Sequence, residues 1–319
     1  MKSSNVLKKY EITQCALYKC KSKRRLEKLL LLEQGAIKNI NNIINYHSFE
    51  IDKKGSMEKR KILAPDKNLK IIQKRILSLL QRVVRPEWLI SGEKGKCYID
   101  NGKAHKNANC VLSVDIRKFY DNCTREYVYQ FFIDKLKTSA DVAKVLTDIV
   151  TYDDRIPTGC PTSQIVAFYA YMDMFVEIYN LAKMSGCNFT LYVDDMTFSS
   201  LEPFSPNHLK QGIDCILRKY GHRPKYSKVK YYGAKDFKII TGTVVTADNT
   251  LVVPNGLQKK IYDTFQDVKM FTCDEVASSS EKTQKVLALK GQIQAARNIE
   301  EGKFSEITRV INGIKIKCS

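Results

Sequence analysis

The spacing of apolar residues changes repeatedly along the chain, and each change predicts an element. In residues 1–45, Leu26, Leu29, Leu30, Ile37, Ile40, Ile43 and Ile44 recur at roughly helical intervals beside the basic run Lys21-Ser22-Lys23-Arg24-Arg25, so this region reads as helical. Residues 47–64 read as a short hairpin around Asp52-Lys53-Lys54-Gly55-Ser56. Residues 68–84 put Leu69, Ile72, Ile76, Leu79, Leu80 and Val83 on one face of an amphipathic helix, which Pro86 would end. Residues 110–116 form a buried-strand pattern. Helices are predicted near 125–137 and 139–150, then a Pro/Gly loop from Arg155 to Ser163, then one long apolar helix over 164–184. Residues 189–200 read as a second hairpin: a strand from Phe189 to Val193, a two-residue turn at Asp194-Asp195, and a strand from Met196 to Ser200. A helix at 207–220, strands within 237–253 around a turn at Ala247-Asp248-Asn249, and a mainly helical stretch over 255–319 complete the series. The order is mixed α/β with antiparallel pairing at the acidic hairpin, and a boundary is expected around 246–256.

At 319 residues, with 44% hydrophobic and 27% charged positions, the chain suits one folded unit of several subdomains or two domains, not a disordered polymer. No apolar run approaches the ~20 residues that span a bilayer, and no apolar core follows Met1-Lys2-Ser3-Ser4-Asn5, so a cytoplasmic protein is expected, with no membrane partner. Net charge changes the picture more. It is +19, and 15 of that surplus lies in residues 1–110, with 2 each in 111–245 and 246–319. Such a basic N-terminal third points to a polyanionic partner, although a lysine-rich solvated surface accounts for part of it. Ten cysteines without a single C-x-x-C pair, beside only four histidines, exclude a zinc-site spacing. They are expected to be reduced and mostly buried as small apolar groups.

Candidate chemistry lies at two acidic points. Asp115 ends an apolar strand, and Asp194-Asp195 sits at the tip of the second hairpin. Adjacent carboxylates repel unless something neutralises them, and a divalent cation does so. Mg²⁺ takes carboxylate and phosphate oxygens, and two ions about 4 Å apart would activate an attacking hydroxyl and stabilise a leaving pyrophosphate. The plainer reading of Asp194-Asp195 alone is a polar turn.

Three segments in register weigh against that plainer reading. Tyr192-Val193-Asp194-Asp195 resembles the Tyr-x-Asp-Asp signature of reverse transcriptases. Asp115-Ile116-Arg117-Lys118-Phe119-Tyr120 resembles their first carboxylate motif, and Pro157-Thr158-Gly159-Cys160-Pro161-Thr162-Ser163 resembles the loop between the two. The resemblance is nearest to bacterial retron reverse transcriptases. Arg60-Lys61-Ile62-Leu63-Ala64-Pro65 with Leu69 and Gln73 is similar to their opening motif. Ser91-Gly92 with Asn101-Gly102-Lys103-Ala104-His105 is similar to the retron Asn-x-x-x-His element, and Ile240-Thr241-Gly242 to Val-Thr-Gly. Motifs cover residues ~55–255. Thr158 stands where the family usually has Gln, Gln164 where a Pro commonly closes the loop, and Ile240 where Val is usual.

The resemblance implies a right-hand polymerase of the α/β (α+β) class. Residues 1–110 would form an N-terminal helical region and fingers, 111–245 a palm with an antiparallel sheet, and 246–319 a helical thumb. Asp115, Asp194 and Asp195, with the Ile116 carbonyl, would hold two Mg²⁺ ions, for which Mn²⁺ would also serve. Arg60, Lys61, Tyr120, Gly159 and Lys228 would meet the deoxynucleoside triphosphate. Tyr120 would abut the sugar 2′ position, and Lys228, or Lys230, would donate a proton to pyrophosphate. Asn101, His105, Lys259, Lys260, Lys290 and Arg297 would contact RNA, although a structural hydrogen-bonding role for His105 has equal standing. Retron kinship further implies a cognate noncoding RNA, 2′-OH priming, a branched RNA–DNA product, an effector protein encoded nearby and a part in anti-phage defence. Two alternatives remain at this point: a defence-associated reverse transcriptase with different priming, and a scaffold that only holds RNA or an effector.

Overall fold

In the computed structural model, residues 8–52, 59–272, 276 and 279–313 are described, without the side chain of Arg60. The N-terminal region is less helical than its periodicity suggests. Short 3-10 turns at Ile12–Gln14 and Ala36–Asn42 flank a single α-helix, α1 (Lys23–Leu30). Ser22 caps α1 through the Arg25 N–H, and Leu31 ends it in the left-handed region at φ 59. Cys15, Leu17 and Cys20 lie between these pieces as buried irregular chain. Tertiary bonds hold them there, with Lys19 N–H donating to Leu136 O and Ser139 N–H to Cys20 O.

Strands β1 (Tyr46–Asp52) and β2 (Lys59–Pro65) form the expected antiparallel hairpin, whose turn lies outside the described residues. Helix α2 (Lys67–Leu80) buries the predicted apolar face, but stops well before Pro86. Val83 is instead bridged to Tyr10, whose backbone exchanges bonds with Arg82 and Val84. Helix α3 (Tyr98–Ala104), not foreseen from periodicity, precedes β3 (Cys110–Asp115). Then follow α4 (Phe119–Asn122), α5 (Arg125–Gln130), which continues into a π-helical turn at Phe131–Lys135, and α6 (Ala140–Val150).

The apolar stretch predicted as one helix is two, α7 (Ser163–Ala170) and α8 (Met172–Met184), bent by 66°. No Gly or Pro marks the break. Tyr171 sits at it, fully buried. Its hydroxyl accepts from Thr124 N–H at 3.0 Å and donates to Asn122 O at 3.1 Å, and its ring stacks on Tyr127. Among the described residues no single helix is long and apolar enough to cross a membrane.

Strands β4 (Asn188–Tyr192) and β5 (Asp195–Ser200), helix α9 (Pro206–Lys219) and strand β6 (Lys230–Tyr232) complete a four-stranded antiparallel sheet in the order β4-β5-β3-β6. Three short strands, β7 (Lys238–Ile240), β8 (Thr243–Val245) and β9 (Leu251–Val252), form a separate sheet. The main apolar core runs from Cys15 to Leu217. A second core belongs wholly to residues beyond 252, where Ile261 and Val268 of α10 (Asn255–Val268) meet Val286, Leu289 and Ile293 of α11 (Ser280–Ile299) and Ile307 and Ile311 of α12 (Ser305–Asn312). Of the described cysteines, five are buried as expected, Cys160 is half-buried, and Cys97 and Cys215 are exposed; none is in a disulfide.

Candidate active site

The three acids meet at one end of the four-stranded sheet. Central β3 carries Asp115 at its last position, directly opposite Asp195 on β5. Tyr192 pairs with Asp195, so the tight turn is Val193-Asp194, one residue earlier than expected, and Asp195 is the first residue of a strand. The turn requires Val193, a β-branched residue, to adopt φ 61. Two bonds hold that strained turn. Val193 N–H donates to Ser91 Oγ at 2.8 Å, and Ile116 N–H donates to Asp194 O at 3.1 Å. Ser91 is itself fixed by a strand-like edge, where Leu191 N–H donates to Trp88 O and Ile90 N–H donates to Leu191 O.

Burial, and next the carboxylates of Asp194 and Asp115, raise the Asp195 pKa to about 7, with a hydrogen bond to Asp115 adding to the rise and Lys228 opposing it. Lys228 ends a short 3-10 turn, Tyr226–Lys228, and the residue before that turn is tied to β3, since Lys225 N–H donates to Asp115 O at 2.7 Å. Its Nζ lies 2.6 Å from Asp115 Oδ2. Burial disfavours the ammonium, but the hydrogen bond to Asp115 and the field of all three acids outweigh that and raise its pKa. Lys230, the other lysine considered, is exposed on β6 opposite Ser113.

Among the described residues no three His, Cys, Asp or Glu side chains already grip a common point; the Lys228 ammonium holds Asp115 instead. The donor set still fits a hard divalent cation, because it consists of crowded carboxylate oxygens whose mutual repulsion a cation would relieve.

The Pro157–Ser163 loop docks on β2. Leu63 N–H donates to Thr158 O, and the Thr158 hydroxyl donates to Lys61 O at 3.2 Å. Gly159 has φ +104, and a Cβ there would lie 2.8 Å from Ile62 Cγ2. The exposed Lys61 is thereby placed beside the loop. Tyr120 is half-buried, its ring 5.4 Å from that of Phe119.

Residues 51–244 match the family described as reverse transcriptase (RNA-dependent DNA polymerase). The chain belongs to that family. Among curated relatives, it is 28% identical over 174 residues to the Retron Se72 reverse transcriptase of Salmonella heidelberg, covering 54% of this chain and 46% of that one. It is 25% identical over 205 residues to the Retron Ec86 reverse transcriptase of Escherichia coli, covering 64% of each. The chain thus spans about half to two thirds of the length of these relatives, and within the family it resembles reverse transcriptases of retron type. Among solved structures, an apo telomerase from Candida tropicalis superposes with a TM-score of 0.50 at 12% identity, covering 67% of this chain and 55% of that one, which supports the polymerase fold.

Two residues expected to contact RNA are buried inside this reverse transcriptase fold. Asn101 is fully buried and His105 is 1% exposed. His105 Nε2 lies 2.7 Å from Thr190 Oγ1, and Nδ1 lies 2.7 Å from Ser199 Oγ. Thr190 Oγ1 donates to Asn101 Oδ1, and Asn101 Nδ2 donates to Thr241 Oγ1 at 2.8 Å. Because the Thr190 proton goes to Asn101, the ring proton belongs on Nε2 and Nδ1 accepts from Ser199. Gly102, with no room for a side chain against Thr243, closes α3 on β8. The two elements similar to retron motifs are therefore one structural joint behind the acidic hairpin; the RNA-contact expectation for Asn101 and His105 is corrected, and the structural hydrogen-bonding role considered for His105 is the one observed. Ser91 anchors the Val193 turn, a role that residue spacing along the chain does not reveal. Lys259 and Lys260 are exposed on α10, while Lys290 is half-buried. Arg297 Nε donates to Lys303 O at 3.1 Å, tying α11 to the turn that follows it.

Proposed function

We propose that the chain is an RNA-directed DNA polymerase that copies part of a cognate noncoding RNA into DNA. The observation that carries this is the meeting of Asp115, Asp194 and Asp195 at one sheet end, within a reverse transcriptase sequence. Asp115 and Asp194, with the Ile116 carbonyl and support from Asp195, would hold two Mg²⁺ ions, or Mn²⁺ in their place. Bound there, the ions supply charge neutralisation for phosphoryl transfer. The chain's own groups do the rest. Arg60, Lys61 and the Gly159 backbone clamp the triphosphate of a deoxynucleotide, Tyr120 excludes a ribose 2′-OH, and Lys228 can move from Asp115 to protonate the departing pyrophosphate.

The separate core of α10–α12 supports reading residues 246–319 as a thumb, with 1–110 as N-terminal region and fingers and 111–245 as palm. Lys259, Lys260, Lys290 and Arg297 would meet RNA or duplex phosphates. Retron kinship supports priming from an RNA 2′-OH, a branched RNA–DNA product, a cytoplasmic setting and anti-phage defence with an effector protein. The test is incorporation of labelled deoxynucleotide by wild type and by Asp194→Asn or Asp195→Asn. Each substitution removes charge and keeps shape. A loss of several orders of magnitude is expected, on the order of 4 kcal/mol or more of transition-state stabilisation, with folding kept. Near-normal synthesis by both variants would overturn the assignment.

A further inference from the structure

Gln164, where a proline commonly closes the family's loop, faces a cavity of about 180 Å³ beside the catalytic hairpin. The walls include Val193 of the turn, Ser91, Gly92, Arg85 and a second carboxamide, Gln81. Gly92 is exposed at φ +71, and a Cβ there would stand 3.2 Å from Gln164 Nε2. Glycine thus leaves the space in which the carboxamide lies against the backbone. Arg85 is paired with Glu93 at 2.6 Å, both side chains nearly buried, and its Nη2 donates to Gly92 O at 3.2 Å. Arg85 is thus engaged by Glu93 and the Gly92 carbonyl, and the side-chain polar groups left to face the cavity include two carboxamides, which suit a base edge better than a phosphate. Its Ser91 also holds the Val193 turn, so wall and turn are rigidly joined. Among the described residues no hydrogen bond to the protein engages the Gln164 or Gln81 carboxamide.

A primer end presented to Asp115 and Asp194 must bring its last base pair alongside Val193 and this wall. A copying enzyme can bind that pair only through features common to every sequence. The minor-groove edge offers them, as purine N3 and pyrimidine O2 acceptors, and it is accessible in wide, shallow grooves of A-form type. A carboxamide N–H is the matching donor. We propose that Gln164 donates a hydrogen bond to the minor-groove acceptor of the terminal template–primer base pair and so keeps the primer end in register with the carboxylates. This rests on the polymerase reading above.

The experiment is single-nucleotide extension by the full chain of a DNA primer annealed to RNA, with guanine or 3-deazaguanine placed at the primer terminus or in the template base that faces it. The 3-deaza base keeps pairing and removes only the N3 acceptor. Wild type should slow about three- to tenfold in the arm whose strand Gln164 reaches, as expected for one neutral hydrogen bond. Gln164→Met, which keeps length and loses the donor, should be slowed similarly on guanine and no further by the deaza base, whereas Gln81→Met should retain the full deaza effect. A wild type that extends guanine primers but is indifferent to the deaza base in both arms overturns the inference, as does equal deaza sensitivity in wild type and Gln164→Met. A wild type that extends no primer overturns the polymerase reading itself.

Discussion

His105 gives a stability prediction that distinguishes a buried joint from an RNA contact. Burial lowers its pKa to about 3, whereas in the unfolded chain it should titrate near the ordinary histidine value of ~6.5. The folded value is depressed, so the unfolded chain takes up a proton that the folded one refuses. The stability tied to this group is therefore complete above ~6.5 and is lost as pH falls from there toward the folded value. At pH 5 the folded ring is still neutral, and the loss is set by the unfolded state alone: about 1.5 pH units, or ~2 kcal/mol relative to pH 8. His222, buried against Phe119 and Tyr171 with a pKa lowered by burial to about 4, behaves with the same sign. His105→Gln removes only the first contribution. Urea midpoints of both proteins at pH 8 and pH 5 measure the difference. At pH 8 the variant should already be destabilised by about 1–3 kcal/mol, because the Ser199 and Thr190 hydroxyls lose their partner. Between pH 8 and pH 5, wild type should lose ~2 kcal/mol more than the variant. Equal losses would mean that the ring takes up a proton in the folded state, and would refute the buried network.

Two further outcomes follow from the site. Tyr120→Ala should raise ribonucleotide incorporation relative to deoxynucleotide in single-turnover assays, and unchanged discrimination would return Tyr120 to a packing role against Phe119. Gly159→Ala meets two obstacles, a φ of +104 and a Cβ 3.0 Å from Leu63 O; strain of about 1–3 kcal/mol should lift the loop from β2 and raise KM for nucleotide more than it lowers kcat, so unaltered kinetics would show that the loop does not set the nucleotide site.

Elements whose identity rests on local pattern were legible from the chain. The β1–β2 hairpin, α2, β3, α6 and α9 all follow period-2 or helical spacing of their apolar residues. What failed depends on distant partners. The break between α7 and α8 has no helix-breaking residue; it exists because Tyr171 reaches Thr124 and Asn122. The chain just before α1 stays irregular because Leu136 and Ser139 offer backbone bonds to Lys19 and Cys20 across sequence distances that periodicity does not sense. Helix α3 is short and polar, and its buried face, Ile99, Asn101 and Gly102, is read as buried only once β8 lies against it.

The site divides along the same line. Carboxylates that serve phosphoryl transfer must be Asp or Glu in a fixed order, so their motif survives in sequence. The groups that hold them need only a hydrogen bond or a shape, which many residues provide, so the anchoring role of Ser91 is not legible in its motif. The Asp pair misled for a physical reason. Aspartates are favourable turn formers, and pattern alone sets both at the hairpin tip. The fold instead puts Val193 in the left-handed region and stabilises it from Ser91 and Ile116. That one-residue shift makes Asp195 a strand residue facing Asp115 across the sheet. Were the turn at Asp194-Asp195, Tyr192 would pair with Thr197 instead of Asp195, a two-residue slip of β4 against β5 that leaves each side chain on its face. Asp195 would then lie in the turn, off the strand that sets it opposite Asp115, and the third acid would lose the cross-strand pairing that brings it to the other two. Strand register, more than the turn preference of the acids themselves, decides where the acids stand.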